Sequence, residues 1–287
     1  MGRDILTVIQ EKMHTFSKGQ RKIAGFILDS YDKAAFMTAS RLGKRVGVSE
    51  STVVRFAFEL GYDGYPDMQR SLQKMIRNRL TTVQRIEVTK DRLGGQDLLS
   101  MVLQSDIDKI RITLEELDRE SFERAVDAIV SARKIYIIGV RSSAAIASFL
   151  HFYFNLIFDS VVLVSANTSS EIFESLLRVG EEDVVIGVSF PRYSSRTVQA
   201  ISFARDRGAT TVAITDSEAS PLAPISSYSL MARSDMVSFV DSLVAPLSLV
   251  NALLVAVSQR RNDELARTFH TLEEIWEEYG VYEKVPE

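Results

Sequence analysis

Five short runs rich in β-branched residues alternate with helical segments in the second half of the chain, and this alternation constrains the fold more than any other feature. The runs are KIYIIGV (134–140), VVLVS (161–165), DVVIGVS (183–189), TTVAIT (210–215) and SYSLMA (227–232). Strands separated by helices form parallel sheets, since each helix carries the chain back to the same edge. The pattern therefore predicts an α/β domain with a five-stranded parallel sheet that carries helices on both faces.

The first 77 residues follow a different pattern, because their apolar residues recur every three or four positions, as on one face of an amphipathic helix. Ser17, with Gln20 three residues later, marks a capping-box start for one of these helices. No convincing strand pattern occurs there. Residues 1–77 are therefore expected to form an all-α domain.

A charged segment that is poor in large apolar residues separates the two patterns. It reads RNRLTTVQRIEVTKDRLGGQD and ends near Gly94-Gly95, a pair that breaks secondary structure. A further helix is expected from about Leu98 to Leu117. We assign a linker to residues 78–105 and the α/β domain to residues 106–287.

Charge is distributed unevenly between these regions. Residues 1–80 contain 14 Lys and Arg against 8 Asp and Glu, a net charge of +6, whereas the remainder contains 20 against 30, a net charge of −10. A basic N-terminal region on an acidic body indicates that the N-terminal region alone meets a polyanion.

Composition excludes several functions. The chain has no cysteine and three histidines, which rules out disulfides and a Cys nucleophile, argues against a metal site, and favours a cytoplasmic location. The most apolar stretch, Phe239 to Val257, is interrupted by Asp241, Pro246 and Asn251. This stretch predicts a buried helix rather than a membrane span, and its apolar surface either covers a subunit interface or joins the domain core.

Residues Thr38 to Gly61 have the pattern of a helix-turn-helix. A short helix ends at a turn around Gly47, and a second amphipathic helix begins after the capping residue Ser49. The expected core of the unit is Leu42, Val46, Val48, Val53, Phe56 and Leu60.

The exposed face of this unit carries the residue types that contact DNA. Short polar side chains at the start of a recognition helix can approach base edges, and an arginine one turn later can reach a guanine or a phosphate. This predicts base-edge contacts from Ser49, Glu50, Ser51, Thr52 and Arg55, and phosphate contacts from Arg41, Lys44, Arg45 and Arg70. The alternatives are a solvated surface for any single cation and a helical hairpin that binds protein for the whole unit.

Two hydroxyl-rich loops follow the first and third predicted strands, GVRSSAAIA (139–147) and SFPRYSSRT (189–197). With the flavodoxin-like strand order 2-1-3-4-5, both loops lie at the crevice where ligands bind. Hydroxyls, helix N termini and a guanidinium together suit a phosphate monoester. The predicted effector-binding residues are Ser142, Ser143, Ser189, Arg192, Ser194, Ser195 and Thr197. Ordinary N-capping by serine is the alternative.

Other small-molecule chemistry is less well supported. Gly139 is not followed by the two further glycines of a dinucleotide site, and there is no Walker A motif, so no cofactor is expected. Isomerisation of a sugar requires a base, for which Glu171 and His151 are the candidates. A first-turn helix acid and a packed histidine are the simpler interpretations of these two residues, so no catalytic residue is assigned.

Across nearly its whole length the sequence resembles RpiR-type bacterial transcriptional regulators, which join a helix-turn-helix to a sugar isomerase (SIS) domain. The matching stretches are VSESTVVRFAFELGYDGYPDMQ (48–69), GVRSSAAIA (139–147) and ITDSEASPLA (214–223). The resemblance implies a homodimer or homotetramer on a palindromic operator in double-stranded DNA, with a sugar phosphate as effector. It thus implies regulation of carbohydrate metabolism genes.

The second loop departs from the family pattern Ser-x-Ser-Gly-x-Thr. Thr197 and Ser194 match its last Thr and second Ser, but its first Ser falls on Arg192 unless Ser189 takes that place. The added arginine suits another phosphate ester or a carboxylate-bearing sugar. The other possible functions are a sugar-phosphate isomerase with an accessory helical domain and a helical protein-interaction adaptor.

Overall fold

The computed structural model describes residues 5–76, 97–164, 168–235 and 240–283. The chain forms two compact units, the first made mainly of residues 1–98 and the second mainly of residues 99–287. Most of the predicted linker lies outside the described residues. Its last part, residues 98–105, forms the first two turns of a helix, in agreement with the helix predicted from about Leu98.

The helical unit contains six helices within residues 5–76. They are α1 (Ile5–Lys12), α2 (Lys18–Asp29), α3 (Tyr31–Ala34), α4 (Ala39–Val46), α5 (Glu50–Glu59) and α6 (Tyr65–Ile76). The predicted capping box is present at α2, where Ser17 Oγ accepts from Gln20 N–H and Gln20 Oε1 accepts from Ser17 N–H. Helices with one apolar face cluster around a common core, here Ile9, Phe16, Ile23, Ile27, Leu42, Val53, Phe56, Met68 and Leu72.

The α/β unit alternates helices with strands, as expected. Its elements are α7 (Leu98–Glu116), α8 (Arg119–Ser131), β1 (Lys134–Gly139), α9 (Ser143–Ile157), β2 (Val161–Leu163), α10 (Ser169–Ser175), β3 (Asp183–Val188), α11 (Ser195–Asp206), β4 (Thr210–Thr215), β5 (Tyr228–Met231), α12 (Val244–Arg260) and α13 (Asn262–Tyr279). All strand pairs are parallel and their order is β2-β1-β3-β4-β5, which confirms the predicted sheet.

Alternate residues of the central strands face opposite layers, which makes the sheet doubly wound. Ile135 and Ile137 of β1 pack with α8, α9 and α12, whereas Tyr136 and Ile138 pack with α10 and α11. Near-continuous apolar strands are needed because both faces are covered.

The apolar stretch near residue 250 forms α12, and the core of the α/β unit takes up most of its apolar surface. Leu249, Val250, Leu253 and Val257 are buried there, and Val255 stays exposed. Within the described part of the chain, no helix combines the length and low polarity that crossing a bilayer requires.

Candidate DNA-binding and ligand-binding sites

Two glycines shape the helix-turn-helix. Gly47 ends α4 in the left-handed conformation with φ 71°, which reverses the chain without the strain that a side chain would bring. At Gly43 a Cβ atom would lie 2.8 Å from the carbonyl oxygen of Val48, so only glycine lets the turn return this close to α4. Val46 and Val48, which were expected in the core, are only half-buried, whereas Leu42, Val53, Phe56 and Leu60 are buried.

The N terminus of α5 presents a cluster of hydroxyl groups. Ser49 caps the helix, its Oγ accepting from Thr52 N–H at 3.3 Å, and the same oxygen lies 2.9 Å from Ser51 Oγ. Ser49, Glu50, Ser51 and Arg55 are exposed, as a DNA-reading surface requires. Thr52 is half-buried and its methyl group lies against Gly19 of α2, which limits what it can reach.

The predicted phosphate-contacting cations lie on two helices. Arg41, Lys44 and Arg45 are exposed on α4. Arg70 is on α6 and forms an exposed ion pair with Asp67 at 3.2 Å. Lys22 of α2 was not predicted, yet its Nζ lies 4.0 Å from the Cβ position of Gly47, beside the turn. No sequence signal marks Lys22, because it belongs to a helix outside the motif.

In the α/β unit, the two hydroxyl-rich loops begin side by side. Gly139 and Val188, the last residues of β1 and β3, are register partners in the sheet. The crossovers leave β1 and β3 toward opposite sides, so the loops flank the position where strand order reverses. The topology therefore brings together the predicted effector residues at one edge of the sheet.

The first loop packs very closely against the start of α9. A Cβ atom at Gly139 would lie 2.5 Å from Ser143 O and 2.9 Å from Ala147 Cβ, and Arg141 has a positive φ of 59°. Ser143 is buried, and the side chain of Ser142 makes no capping hydrogen bond. Plain N-capping therefore does not account for Ser142.

The second loop is organised by its own hydroxyls. Ser189 is buried and its Oγ accepts from Ser194 N–H at 3.0 Å, while Ser194 Oγ caps α11 by accepting from Thr197 N–H at 3.4 Å. Thr197 is fully buried, and its Oγ1 has no hydrogen-bond partner among the described residues. Ser195 and Arg192 are exposed, and Arg192 has a positive φ of 22°.

A third segment, which follows β4, completes this edge of the sheet and was not among the predicted site residues. Tyr193 Oη donates to Asp216 Oδ1 at 2.6 Å, and Thr215 Oγ1 donates to the carbonyl of Ser189 at 2.8 Å. Thr215 and Asp216 belong to the stretch ITDSEASPLA, so position at the end of a strand was the signal that could have found them.

The two candidate bases for isomerisation have other places in the structure. Glu171 completes a capping box at α10, where its Oε2 accepts from Thr168 N–H. His151 lies eight residues into α9, about 12 Å along the helix from its N terminus. Its ring nitrogens contact the Asn155 amide.

A helix-turn-helix unit joined to a doubly wound α/β unit defines a two-domain class, and comparison with known proteins agrees. Residues 3–79 match the helix-turn-helix domain of the rpiR family and residues 128–256 match the SIS domain. The chain is 31% identical to the sugar isomerase domain of an RpiR transcription factor from Sphaerobacter thermophilus, covering 99% of that chain and 62% of this one with a TM-score of 0.60. The chain belongs to the RpiR family.

Several relatives cover both units, among them the following two. The regulator HexR of Escherichia coli is 27% identical over 94% of this chain and 95% of its own. The Vibrio vulnificus NanR protein, whose structure is a complex with ManNAc-6P, is 25% identical over 95% of this chain and 97% of its own, with a TM-score of 0.58.

Proposed function

We propose that this protein is a DNA-binding transcriptional regulator of carbohydrate metabolism genes, and that a phosphorylated sugar bound in its α/β unit modulates operator binding. Membership of the RpiR family supports the first part, since HexR is named as a transcriptional regulator. The complex of NanR with ManNAc-6P supports the second. A regulator of this kind acts in the cytoplasm.

In this proposal the N terminus of α5 enters the major groove. Ser49, Glu50, Ser51 and Arg55 are exposed there, and the helix dipole favours approach to phosphate. The set also includes the half-buried Thr52 and the phosphate-contacting cations Arg41, Lys44, Arg45 and Arg70. A palindromic operator requires a two-fold assembly, a homodimer or homotetramer.

The single observation that carries the effector site is the buried Oγ1 of Thr197, which has no hydrogen-bond partner among the described residues. Thr197 lies in the first turn of α11, the helix that follows β3. A buried hydroxyl without a partner is costly, and a phosphate oxygen would satisfy it. Nearby N–H groups at the starts of α9 and α11 favour an anion. The proposed contacts are Ser142, Ser143, Ser189, Arg192, Ser194, Ser195 and Thr197.

Regulation follows if the sugar phosphate binds two arrangements of the assembly with different affinities. DNA and the effector then change each other's affinity by the same factor. Binding without turnover is the expected chemistry, because Glu171 is occupied in a helix cap and His151 lies about two turns into α9.

The effector site is tested by thermal shift of the full chain with ManNAc-6-phosphate, glucose 6-phosphate, the matching free sugars and inorganic phosphate. A ligand that binds the native state raises the melting temperature. Thr197→Val should leave the melting temperature without ligand unchanged or higher, since it removes an unsatisfied hydroxyl. It should also abolish most of the shift caused by the active sugar phosphate.

The matched control is Thr210→Val, a half-buried threonine at the opposite edge of the sheet, which should keep the full shift. A shift that survives in Thr197→Val would contradict the assigned site. If NMR shows that the protein converts the bound sugar phosphate into its ketose or aldose isomer, the protein is instead a sugar-phosphate isomerase.

DNA binding is tested by selecting fragments from a random-sequence duplex pool with the full chain. We expect enrichment of a two-fold symmetric sequence. Ser51→Ala/Arg55→Ala should remove that enrichment while the sugar-phosphate response of the α/β unit remains. Enrichment that persists unchanged would show that α5 does not read the DNA.

A further inference from the structure

Two arginines hold an uncommon backbone conformation, and each lies in one of the two hydroxyl-rich loops. Within the described residues, Arg141 and Arg192 are the only residues other than glycine with a positive φ, 59° and 22°. A side chain in this region costs free energy that glycine avoids. Strained residues gather at binding sites, so both positions indicate a role in ligand binding.

The backbone at Arg141 is held by the turn that leads into α9. Its carbonyl oxygen accepts from Ala144 N–H at 3.1 Å, and a Cβ atom at Gly139 would lie 2.5 Å from Ser143 O, so the turn is closely packed. The guanidinium of Arg141 is exposed and has no hydrogen bond or ion pair with any residue that the structure describes. No contact among these residues therefore accounts for an arginine at this position.

Other arginines of the α/β unit do have such contacts. Arg133, Arg233 and Arg260 each pair with an acidic residue, at 2.8 Å, 2.5 Å and 2.5 Å respectively. Arg141 differs from them because its charge is available to a ligand.

The two loops are positively charged on a negatively charged body. GVRSSAAIA (139–147) and SFPRYSSRT (189–197) contain three arginines and no acidic residue, although residues 81–287 as a whole have a net charge of −10. An acidic residue that meets the second loop, Asp216, is buried and accepts from Tyr193 Oη at 2.6 Å. A local group of cations on an acidic domain favours an anionic ligand.

We propose that the effector is a phosphorylated sugar acid, and that Arg141 binds its carboxylate while the hydroxyls of the two loops bind its phosphate. This inference rests on the proposed function and adds a residue and a second negative charge to the same site. Arg141 is exposed, whereas Ser143, Ser189 and Thr197 are buried. Arg141 therefore suits a group at the outer end of the ligand, away from the phosphate.

A carboxylate fits Arg141 better than a second phosphate does. One guanidinium fork matches the two oxygens of a carboxylate and balances its single charge. A second phosphate carries a charge of about −1.5 to −2 at pH 7 and three acceptor oxygens, so it requires several donors. The first loop contains one cation, which suits one negative charge.

Isothermal titration calorimetry of the full chain tests the proposal with two pairs of probes. One pair is 6-phosphogluconate and glucitol 6-phosphate, and the other is racemic 3-phosphoglycerate and racemic glycerol 3-phosphate. Within each pair the compounds differ only in a carboxylate that replaces a hydroxymethyl group. We expect the acid of at least one pair to bind about tenfold or more tightly than its alcohol, because a charge-assisted contact is added.

Arg141→Gly separates the guanidinium from the fold. Glycine adopts a positive φ without strain, so the variant should melt at the same or a higher temperature without ligand. Its affinity for the acid should fall to that of the alcohol, and its affinity for the alcohol should stay unchanged. Arg178→Gly is the matched control, an exposed arginine on the amino side of β3, and it should keep the preference for the acid.

The possible results separate this inference from the proposed function. Equal affinities within both pairs, or a preference for the acid that persists in Arg141→Gly, would overturn the role of Arg141 and leave the effector site standing. Binding of glucose 6-phosphate or ManNAc-6-phosphate without binding of either acid would overturn the sugar acid. Tighter binding of fructose 1,6-bisphosphate than of either acid would do the same. If no phosphorylated compound binds, the effector site itself is wrong, and this inference with it.

Discussion

The helical unit and the α/β unit both place serine side chains at the start of a helix, but their surroundings differ. Ser49 and Ser51 at the N terminus of α5 are exposed, whereas Ser143 at the start of α9 is buried, as is Ser189 directly after β3. An exposed row of hydroxyls suits a large partner with a groove. A buried set around a crevice suits a ligand small enough to be enclosed. The same residue type thus serves two recognition tasks, and its burial separates them.

The contrast between the two units requires that each unit folds independently of the other. Phe56 is fully buried and its ring lies 5.1 Å from that of Phe16. Phe56→Ala should destabilise the helical unit by about 3–5 kcal/mol and abolish DNA binding, because it leaves a cavity between packed helices. Unfolding in denaturant, followed with two probes, measures this loss of stability. The response of the α/β unit to the sugar phosphate should remain.

Phe58→Ala is the matched control, since Phe58 lies two residues away and is 56% exposed. Its effect on the free energy of unfolding should stay within about 0.5 kcal/mol. Loss of the sugar-phosphate response in Phe56→Ala would show that the units are coupled in stability.

The reciprocal change is Gly139→Ala in the α/β unit. The added methyl group would meet Ser143 O at 2.5 Å, so the start of α9 must move, at a cost of about 1–3 kcal/mol. The thermal shift with the active sugar phosphate should be lost while DNA binding persists. Gly180→Ala, where a Cβ meets nothing within 4 Å, should change neither property. A normal ligand response in Gly139→Ala would show that the first loop is not part of the ligand-binding site.

A smaller effect is expected at Tyr65 of the helical unit. Its hydroxyl donates to the carbonyl of Met37 at 2.6 Å, and burial raises the pKa of Tyr65 to about 12. Tyr65→Phe should cost about 1 kcal/mol at neutral pH. Because the pKa is raised on folding, the stabilisation is complete below pH 10 and is lost as the pH rises from 10 to 12. Wild type should therefore lose more stability than Tyr65→Phe over this interval in urea titrations, and equal losses would contradict the assignment.

The smallest effect on stability is expected at the exposed cations of α4. Lys44→Ala/Arg45→Ala should change the free energy of unfolding by less than about 0.5 kcal/mol. It should weaken binding to all duplex sequences alike and lower the slope of log affinity against log salt by about two, one for each phosphate that the variant no longer neutralises. Arg124→Ala/Arg205→Ala removes the same charge from the α/β unit and should leave the slope unchanged. If neither double variant changes the slope, the phosphate contacts are not made by Lys44 and Arg45.

Much of the fold was predictable because it depends on local periodicity. The five strands, their parallel direction and the helix-turn-helix follow from spacing, β-branched runs and capping residues such as Ser17 and Ser49, and all agree with the structure. The capping role of Glu171 was also predictable, since a threonine three residues earlier is enough to identify it.

What depends on long-range contacts could not be predicted. The sequence does not show that Lys22 lies beside the turn at Gly47, or that Tyr193 reaches Asp216 from a neighbouring loop, because these pairs are joined only by packing. The partial exposure of Val46 and Val48 has the same origin. Periodicity alone would turn the apolar side of α7 toward the core.

The amino-acid sequence by itself determined the two units, the five strands and the positions of the hydroxyl-rich loops, because each follows from patterns among residues close in the chain. Only the tertiary structure decided which hydroxyls are buried, that Thr197 Oγ1 has no partner among the described residues, and that α7 directs its apolar side outward. These properties depend on what packs against each residue, and that surface is built by segments distant in sequence.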